Sequence, residues 1–296
     1  MLSATLLAGV ACNQLTGVGS LEAVPSDDDL NATSSSGDPS SSSGTSSSGS
    51  VLDGSLIDSG SSSGSNPDAD SGKSCVVSEP DLLAYYPLDE TSGTVATDCS
   101  GNNLHGTVIS APPSGAWTTG KFGGGFASGD AAGCIDLGKP ASLLLEEKPF
   151  TVAAWVKPNV LPTVPMTSFY VMGRTTLPDL SGWRLGSDNP SAWSIKLFDK
   201  TNNAVTVIPS APNQPVAVWT HVAATFAPAA QAKLYVNGVE VGSAALSSIG
   251  ADTPASVRIG CRNDNAAFLR GTVDEVRIYG RAFTALEMSA LYAKQL

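Results

Sequence analysis

The chain has 296 residues, of which 42% are hydrophobic and 15% charged, and it carries a net charge of -11 at pH 7. An acidic chain without any run of Lys or Arg lacks the basic stripe that nucleic acid phosphates require. The composition changes along the chain, because residues before about 74 are mostly Ser, Gly, Asp and Pro, whereas Val, Leu, Trp and Tyr recur afterwards. Only the second region can bury a core, and roughly 220 residues are enough for it to fold alone.

The first residues resemble a bacterial lipoprotein signal peptide. Residues 1–11 read MLSATLLAGVA, a short apolar run that ends in small residues directly before Cys12. The run is too short to span a bilayer as a helix. The resemblance implies that the chain is exported, that Cys12 is acylated, and that the protein is anchored in the cell envelope, in an outer membrane and facing outward.

Residues 12–78 are predicted to form a disordered linker. Blocks such as SSSGDPSSSSGTSSSGS supply almost no apolar surface to offset the loss of chain entropy on folding. A flexible coil of about 60 residues averages about 40–50 Å from end to end. This length suits a tether that holds a folded domain, predicted over residues 79–296, clear of a membrane.

From Leu82 onward, short apolar segments alternate with turn residues, which is typical of β-strands. In the segment 150–156, for example, Phe150, Val152, Ala154 and Val156 share one face. Strands are predicted over 82–88, 105–110, 150–156, 182–187, 193–199, 219–226, 233–236, 239–242, 256–261 and 271–280.

Two local signals complete the secondary structure. Asn237-Gly238, between β-branched and aromatic residues, predicts a two-residue type I′ hairpin turn, in which both central residues need positive φ. The segment 284–293 has the only helical pattern, with Leu286, Leu291 and Tyr292 on one side. Many short strands and little helix predict an all-β fold, a two-sheet antiparallel jelly-roll sandwich.

The chain has five cysteines, which fit one lipidated residue and two disulfides. They lack CxxC spacing, and the two histidines lie far apart, so a zinc site is not indicated. The four cysteines after Cys12 allow three connectivities, and the sequence does not choose among them. We favour Cys99–Cys134 together with Cys75–Cys261.

Six segments follow one another between residues 82 and 296: LLAYYPLDETSG, DCSGNNLHGTV, FTVAAWVKP, WTHVAATF, LYVNGVEVG and GTVDEVRIYGRAFTALEM. Their order resembles that of laminin-G-like jelly rolls of the concanavalin A-like lectin/glucanase superfamily. The resemblance implies two stacked, curved antiparallel sheets with loops around a concave face. It does not fix a function, because this fold carries lectins, glycosidases, adhesion modules and inert spacers.

The catalytic signature of the superfamily's glycosidases is absent. Those enzymes place two carboxylates at alternate positions of one strand, in an E-x-D-x-x-E arrangement, so that both point to one face. Here Glu146 and Glu147 are adjacent, as are Asp274 and Glu275, and neighbours in a strand point to opposite faces. Neither histidine is accompanied by a GxSxG nucleophile elbow. We therefore expect a protein that is not an enzyme.

The resemblance also implies a structural Ca²⁺, held by oxygens from Asp- and Asn-rich turns. The alternative is that these side chains only accept hydrogen bonds within their turns. The candidate ligands are Asp89, Asp98, Asn102, Asp130 and Asp274. Pairing of the first and last strands, which is frequent in this fold, would bring Asp89 close to Asp274.

Sugar recognition needs a flat apolar face for stacking and hydrogen-bonding groups at its rim. Aromatic and polar residues that fit this description are Trp117, Trp183, Arg184, Asp188, Asn189 and Trp193, although each tryptophan could equally fill the core. The leading hypothesis is a cell-surface lipoprotein that recognises a glycan or a protein partner. The alternatives are a structural or adhesion protein of the envelope without a small ligand, and a glycoside hydrolase with an unrecognised site.

Overall fold

The computed structural model describes residues 75–110, 116–161, 168–175, 181–189, 192–199, 204–210, 215–246, 248–250 and 254–294. The predicted signal peptide, Cys12 and the predicted linker up to residue 74 lie outside these residues. Within the described ranges the strands are β1 (Leu82–Tyr86), β2 (Val95–Ala96), β3 (Gly106–Ile109), β4 (Trp117–Thr119), β5 (Gly124–Ser128), β6 (Cys134–Asp136), β7 (Phe150–Pro158), β8 (Phe169–Thr175), β9 (Gly182–Asn189), β10 (Ala192–Asp199), β11 (Ala204–Pro209), β12 (Thr220–Phe226), β13 (Ala230–Val236), β14 (Val239–Leu246), β15 (Arg258–Ile259) and β16 (Gly271–Tyr279). A 3₁₀ turn (Ala141–Leu143) and one α-helix, α1 (Ala285–Lys294), complete the described elements.

The strands form two antiparallel sheets that pack face to face. The first sheet has the order β14-β13-β12-β7-β16-β5-β4, and β1 pairs with β16 beside this path. The second sheet has the order β11-β10-β9-β8-β15-β6-β3-β2. A continuous cluster of buried apolar side chains from both sheets lies between them. The predicted two-sheet antiparallel sandwich is confirmed.

Side-chain alternation in β7 places the core as predicted. Phe150, Val152, Ala154 and Val156 belong to the cluster between the sheets. The intervening Trp155 lies on the opposite face of the same strand, where Tyr292 of α1 packs on it with ring centroids 5.7 Å apart. The helix therefore covers the outer face of the first sheet, and both faces of β7 are buried.

The hairpin between β13 and β14 is confirmed. Asn237 and Gly238 have φ values of 50° and 77°, the positive values that a type I′ turn requires. The Asn237 side chain also accepts the backbone N–H of His221 on β12 at 3.0 Å, which ties the turn to the sheet.

The helix is confirmed, but its buried face is only partly as predicted. Met288 and Leu291 are buried against the first sheet, three residues apart. Leu286, predicted on the same side, is 81% exposed, so that part of the prediction is wrong. Leu286 precedes Met288 by two residues, a step that carries a side chain to nearly the opposite side of an α-helix.

Residues 75–78, which are predicted from the sequence to lie in the linker, contact the folded domain. Cys75 forms a disulfide with Cys99, and the N–H of Val77 donates to the carbonyl of Cys99 at 2.7 Å. Residues 75–78 thus belong to the domain and not to a linker.

The predicted disulfide connectivity is wrong. The pairs are Cys75–Cys99 and Cys134–Cys261. Cys134 begins β6 and Cys261 follows β15, and these two strands are neighbours in the second sheet. The pairing of Cys134 with Cys261, 127 positions apart in the chain, depends on the adjacency of these two strands.

Two disulfides favour an exported protein, because such bonds persist in oxidising compartments. None of the helices in the described part is long and apolar enough to cross a membrane.

Candidate functional site

Trp183 and Trp193, predicted to form a sugar-stacking surface, lie in the core instead. Trp183 packs on Phe150 with ring centroids 5.3 Å apart, and Trp193 packs edge-on against Phe169 at 5.7 Å. The prediction is wrong because β9 and β10 are interior strands, and alternation directs their bulky residues into the space between the sheets.

The other predicted ligand residues are not brought together. Arg184 faces away from the core, and its guanidinium lies 5.0 Å above the ring of Tyr170. Asp188 and Asn189 end β9, and their side chains lie outside the described part of the structure. Trp117 lies on β4 in the other sheet, where its indole N–H donates to a backbone carbonyl at 2.9 Å. Arg184 and Trp117, the two whose side chains the structure describes, lie in different sheets and do not form one surface.

Asp98 and Asn102, two of the predicted calcium ligands, organise the turn after β2. One carboxylate oxygen of Asp98 accepts the N–H groups of Tyr85 and Ser100 at 3.0 and 2.9 Å, and the other accepts that of Leu104 at 2.9 Å. The Asn102 amide donates to two carbonyls of β1 at 3.0 and 3.1 Å. Both side chains thus connect this turn to the first strand.

Asp89 and Asp274 hold opposite ends of one glycine-rich turn, residues 120–124. Asp274 accepts the N–H groups of Lys121 and Phe122 at 2.7 and 2.9 Å, and Asp89 accepts an N–H at the other end at 2.6 Å. The expected pairing of the first and last strands, β1 and β16, is confirmed. Burial raises the pKa of Asp274 to about 7, although its N–H bonds act in the opposite direction.

Asp130, the last of the predicted calcium ligands, pairs with Arg270 at 2.7 Å on the surface. Among the described residues, no group of three or more His, Cys, Asp or Glu side chains is placed to hold a metal ion. Oxygens that accept N–H bonds have fewer lone pairs left for a cation. Calcium binding stays a prediction, which calorimetry with calcium against EDTA-treated protein tests. An absence of heat would contradict it.

An open pocket of about 380 Å³ lies on the outer face of the second sheet, where β3 and β6 run side by side. Pockets of 300–1,000 Å³ are the usual size for small-ligand sites. The residues that line it are His105, Thr107, Ile109, Asp136, Leu137, Gly138 and Ser256. Leu137 belongs to the core cluster between the sheets, so Ile109 supplies the apolar side chain of the lining.

Asp136 is the one charged side chain of the lining and is fixed from two sides. Its Oδ1 accepts the N–H of Gly138 at 2.7 Å, and its Oδ2 lies 3.3 Å from a guanidinium nitrogen of Arg258. Arg258 donates in turn to Asn265 Oδ1 at 2.6 Å and to the carbonyl of Arg262 at 3.2 Å. The carboxylate is therefore held in one orientation, which is the condition for a specific contact.

His105 is also fixed. Its Nδ1 accepts the backbone N–H of Asp98 at 3.0 Å, so Nε2 carries the ring proton. The ring is exposed and contributes an N–H donor beside the hydroxyl group of Thr107. The pocket thus presents a carboxylate acceptor, an imidazole donor and two hydroxyl groups around the apolar side chain of Ile109, an arrangement that can recognise a polyhydroxylated ligand.

Sequence reasoning missed this site. Thr107 and Asp136 face each other across β3 and β6, and Arg258 reaches Asp136 from β15, 122 positions later in the chain (258 minus 136). No local motif marks these residues, because their proximity depends on strand pairing. His105 both accepts the backbone N–H of Asp98 and lines the pocket.

The carboxylates of β16 do not form a catalytic pair. Asp274 is fully buried and accepts N–H bonds, and Glu275 accepts hydrogen bonds from Tyr85 at 2.8 Å and from Arg277 at 3.0 Å. A retaining glycosidase needs two carboxyl groups about 5–5.5 Å apart that both face the substrate. The adjacent acids of this strand do not meet that requirement.

Residues 130–289, more than half of the chain, match the family model Laminin_G_3, described as concanavalin A-like lectin/glucanases superfamily. No curated protein matches the chain in sequence.

Solved structures share the fold at low sequence identity. Domain 4 of AbnA, an extracellular arabinanase from Geobacillus stearothermophilus solved in complex with arabinotriose, is 24% identical, with a TM-score of 0.56; the match covers 72% of this chain and 99% of that one. The binding domain of Paraclostridial Mosquitocidal Protein 1 is 16% identical with a TM-score of 0.57, over 72% of this chain and 52% of that one.

Binding domains of botulinum neurotoxins are also similar. A type C structure, whose description ties cell entry to two ganglioside molecules, is 11% identical with a TM-score of 0.54, over 73% of this chain and 52% of that one. The chain thus spans about half the length of the toxin binding domains that it matches.

Proposed function

Because the chain belongs to the concanavalin A-like lectin/glucanase superfamily, we propose that its folded domain is a glycan-binding module without catalytic activity. The observation that carries the proposal is the pocket between β3 and β6. It places the fixed carboxylate of Asp136, the His105 N–H and the Thr107 hydroxyl around the apolar side chain of Ile109. Sugars present apolar ring faces, which fit the apolar part of the pocket, and hydroxyl groups, which can bond to its polar side chains.

The structural neighbours support this proposal. The arabinanase domain was solved with arabinotriose, and the neurotoxin study concerns ganglioside interaction. Both ligands contain sugars, and both proteins share this fold. We therefore expect an oligosaccharide or a glycolipid headgroup as ligand of the present domain.

The ion pair and hydrogen bonds formed by the buried acids also agree with a binding role. Glu146 forms an ion pair with Arg174, Asp274 holds a turn, and Glu275 bonds to Tyr85 and Arg277. Carboxylates committed in this way do not activate water or a leaving group. Release of reducing sugar from a panel of polysaccharides would contradict the assignment as a non-enzyme.

We further propose that the module acts at the cell envelope through a lipid on Cys12. The disulfides support export, and the apolar run before Cys12 supports acylation. Incorporation of labelled palmitate into the chain, and its loss in Cys12→Ser, is the expected result. Equal labelling of both proteins would contradict the anchor.

Glycan binding is tested with the full chain on a glycan array, followed by calorimetry with the ligands found. Asp136→Ala is expected to weaken binding by tenfold or more, because hydrogen bonds to a charged group contribute about 1.5–3 kcal/mol. Thr107→Val keeps the shape of the side chain and removes one neutral hydrogen bond, so a loss of about threefold to tenfold is expected.

Matched controls separate the pocket from general effects on the fold. Asp264→Ala removes an acid that also pairs with an arginine, Arg262, at 2.7 Å, but does not line the pocket. Thr118→Val removes an exposed threonine hydroxyl from β4 of the other sheet. Both should bind as the unaltered chain does. An array without hits, or hits unaffected by Asp136→Ala, would refute the proposed site.

A further inference from the structure

The pocket's charge distribution restricts the class of sugar that it can accept. We propose that the site selects uncharged sugar residues and rejects uronates. This inference rests on the glycan-binding function proposed above and concerns the same pocket. It follows from the one ionised group of the lining, the carboxylate of Asp136, and from the commitment of the nearest cation to other partners.

Arg258 is the cation that contacts Asp136, and both terminal nitrogens of its guanidinium already have partners. One guanidinium nitrogen lies 3.3 Å from Asp136, and another donates to Asn265 and to the carbonyl of Arg262. The guanidinium is also largely buried, with 12% of its side chain exposed. An anionic ligand would have to displace these contacts, and Asp136 would then lose its partner next to a second negative charge.

The surroundings add no compensating positive charge to the lining. The Nδ1 of His105 is occupied by the backbone N–H of Asp98, so this ring contributes a single N–H donor. Lys139 follows Gly138 in the chain, but its side chain is exposed to solvent and does not line the pocket. The whole chain carries a net charge of -11, which also disfavours the approach of anions.

The hydrogen-bonding groups favour neutral hydroxyls. A carboxylate accepts hydrogen bonds and donates none, and therefore suits a hydroxyl donor and repels a second carboxylate. The hydroxyls of Thr107 and Ser256 accept and donate, as sugar hydroxyls do. A second carboxylate a few ångströms from Asp136 in a partly solvated site should weaken binding about tenfold at low salt.

The test compares sugars that differ only in charge, with the full chain at low ionic strength. The probes are matched oligosaccharides of galactose and galacturonate, glucose and glucuronate, and mannose and mannuronate, measured by calorimetry. At least one neutral member should bind, and its acidic counterpart should bind about tenfold more weakly or worse. Acids that bind as tightly as their neutral counterparts would overturn this inference and leave the proposed function standing. If neither member of any pair binds, the proposed function fails, and the inference fails with it.

Two further measurements attribute the selectivity to Asp136. Raising the salt concentration should narrow the gap between neutral and acidic sugars in the unaltered chain, because salt screens charge repulsion. Asp136→Asn should narrow the gap between neutral and acidic sugars at low salt, because it removes the negative charge. Asparagine can still accept the N–H of Gly138, so the surrounding backbone should keep its conformation. Asp264→Asn, outside the pocket, and Lys139→Gln should both leave the gap unchanged. A gap that is insensitive to salt and to Asp136→Asn, or acid binding that Lys139→Gln abolishes, would overturn the inference.

Discussion

At the scale of single residues, the acidic side chains of this domain mainly organise backbone turns. Asp98, Asp89 and Asp274 each accept backbone N–H bonds, and these bonds connect β1 and β16 to the turns around them. Asp98 and Asp274 are buried, and a buried carboxylate with several N–H partners is stabilised without any cation. The sequence offered these acids either as calcium ligands or as acceptors within their turns, because acid-rich turns look alike whether they bind calcium or only hold a loop.

Gly120 is the residue whose side-chain space is most restricted in the turn held by Asp274. A Cβ atom at this position would meet the backbone oxygen of Gly124 and the carboxylate of Asp274. Gly120→Ala is therefore expected to destabilise the domain by about 2 kcal/mol or more, because the turn must open to accommodate the methyl group. Urea denaturation of both proteins measures the difference.

Gly129 supplies a matched control for this substitution. A Cβ there would approach only the Cα of Arg270, at 3.9 Å, which is an ordinary contact. Gly129→Ala should change the free energy of unfolding by no more than about 0.5 kcal/mol. If Gly120→Ala were as mild as this control, the restraint on the turn would be disproved.

At the scale of secondary-structure elements, a network of charged and phenolic groups joins the two ends of the domain. Glu79, just before β1, accepts hydrogen bonds from Arg277 at 2.9 Å and Tyr279 at 2.7 Å, both on β16. Lys294, at the end of α1, donates to the same carboxylate at 2.7 Å. One side chain thus connects the entering segment, the last strand and the helix.

This network predicts a pH-dependent contribution to stability. Burial alone would raise the pKa of Glu79, but the bonds from Lys294 and Tyr279 and the charge of Arg277 lower it below the usual value of 4.5. A carboxyl whose pKa is lowered by folding stabilises the fold above its unfolded-state pKa, and this stabilisation is lost as pH falls through the folded-state value. Glu79→Gln should lower the free energy of unfolding by about 1–2 kcal/mol at pH 7.

The difference between Glu79→Gln and the unaltered chain should shrink as the pH falls below about 4.5. Thermal denaturation at pH 7 and at several lower values follows this difference. Glu147→Gln, at an exposed acid outside the network, should be nearly neutral at every pH. A difference for Glu79→Gln that stayed constant down to pH 3 would exclude an ionised Glu79 as its source.

Elements with strong local signals were predicted, and elements defined by pairing were missed. Asn237-Gly238 and the alternation of β7 are dictated by φ preferences and by side-chain period, which neighbouring residues report. β5 reads Gly-Gly-Phe-Ala-Ser and has little strand propensity of its own. It is a strand because its residues pair with β16 and β4.

At the scale of the whole molecule, the sandwich was predictable from the order of motifs, whereas the site and the disulfides were not. Cys134 and Cys261, like Asp136 and Arg258, meet because β6 and β15 are adjacent in the second sheet. That adjacency is a property of topology, which sequence spacing does not report. The tryptophans failed as markers of a sugar site for the same reason, since it is the interior position of β9 and β10 in the second sheet that buries Trp183 and Trp193.

The central claim is that this domain binds a neutral glycan in the pocket between β3 and β6. Amide chemical shifts of the isotopically labelled full chain, recorded while the tightest-binding neutral oligosaccharide of the panel is added, test it most directly. We predict saturable shifts concentrated at residues 105–109 and 136–138 and at Ser256, the segments that line the pocket. Shifts confined to other parts of the domain, such as β4 with Trp117, would contradict the claim, as would an unchanged spectrum at high ligand concentration.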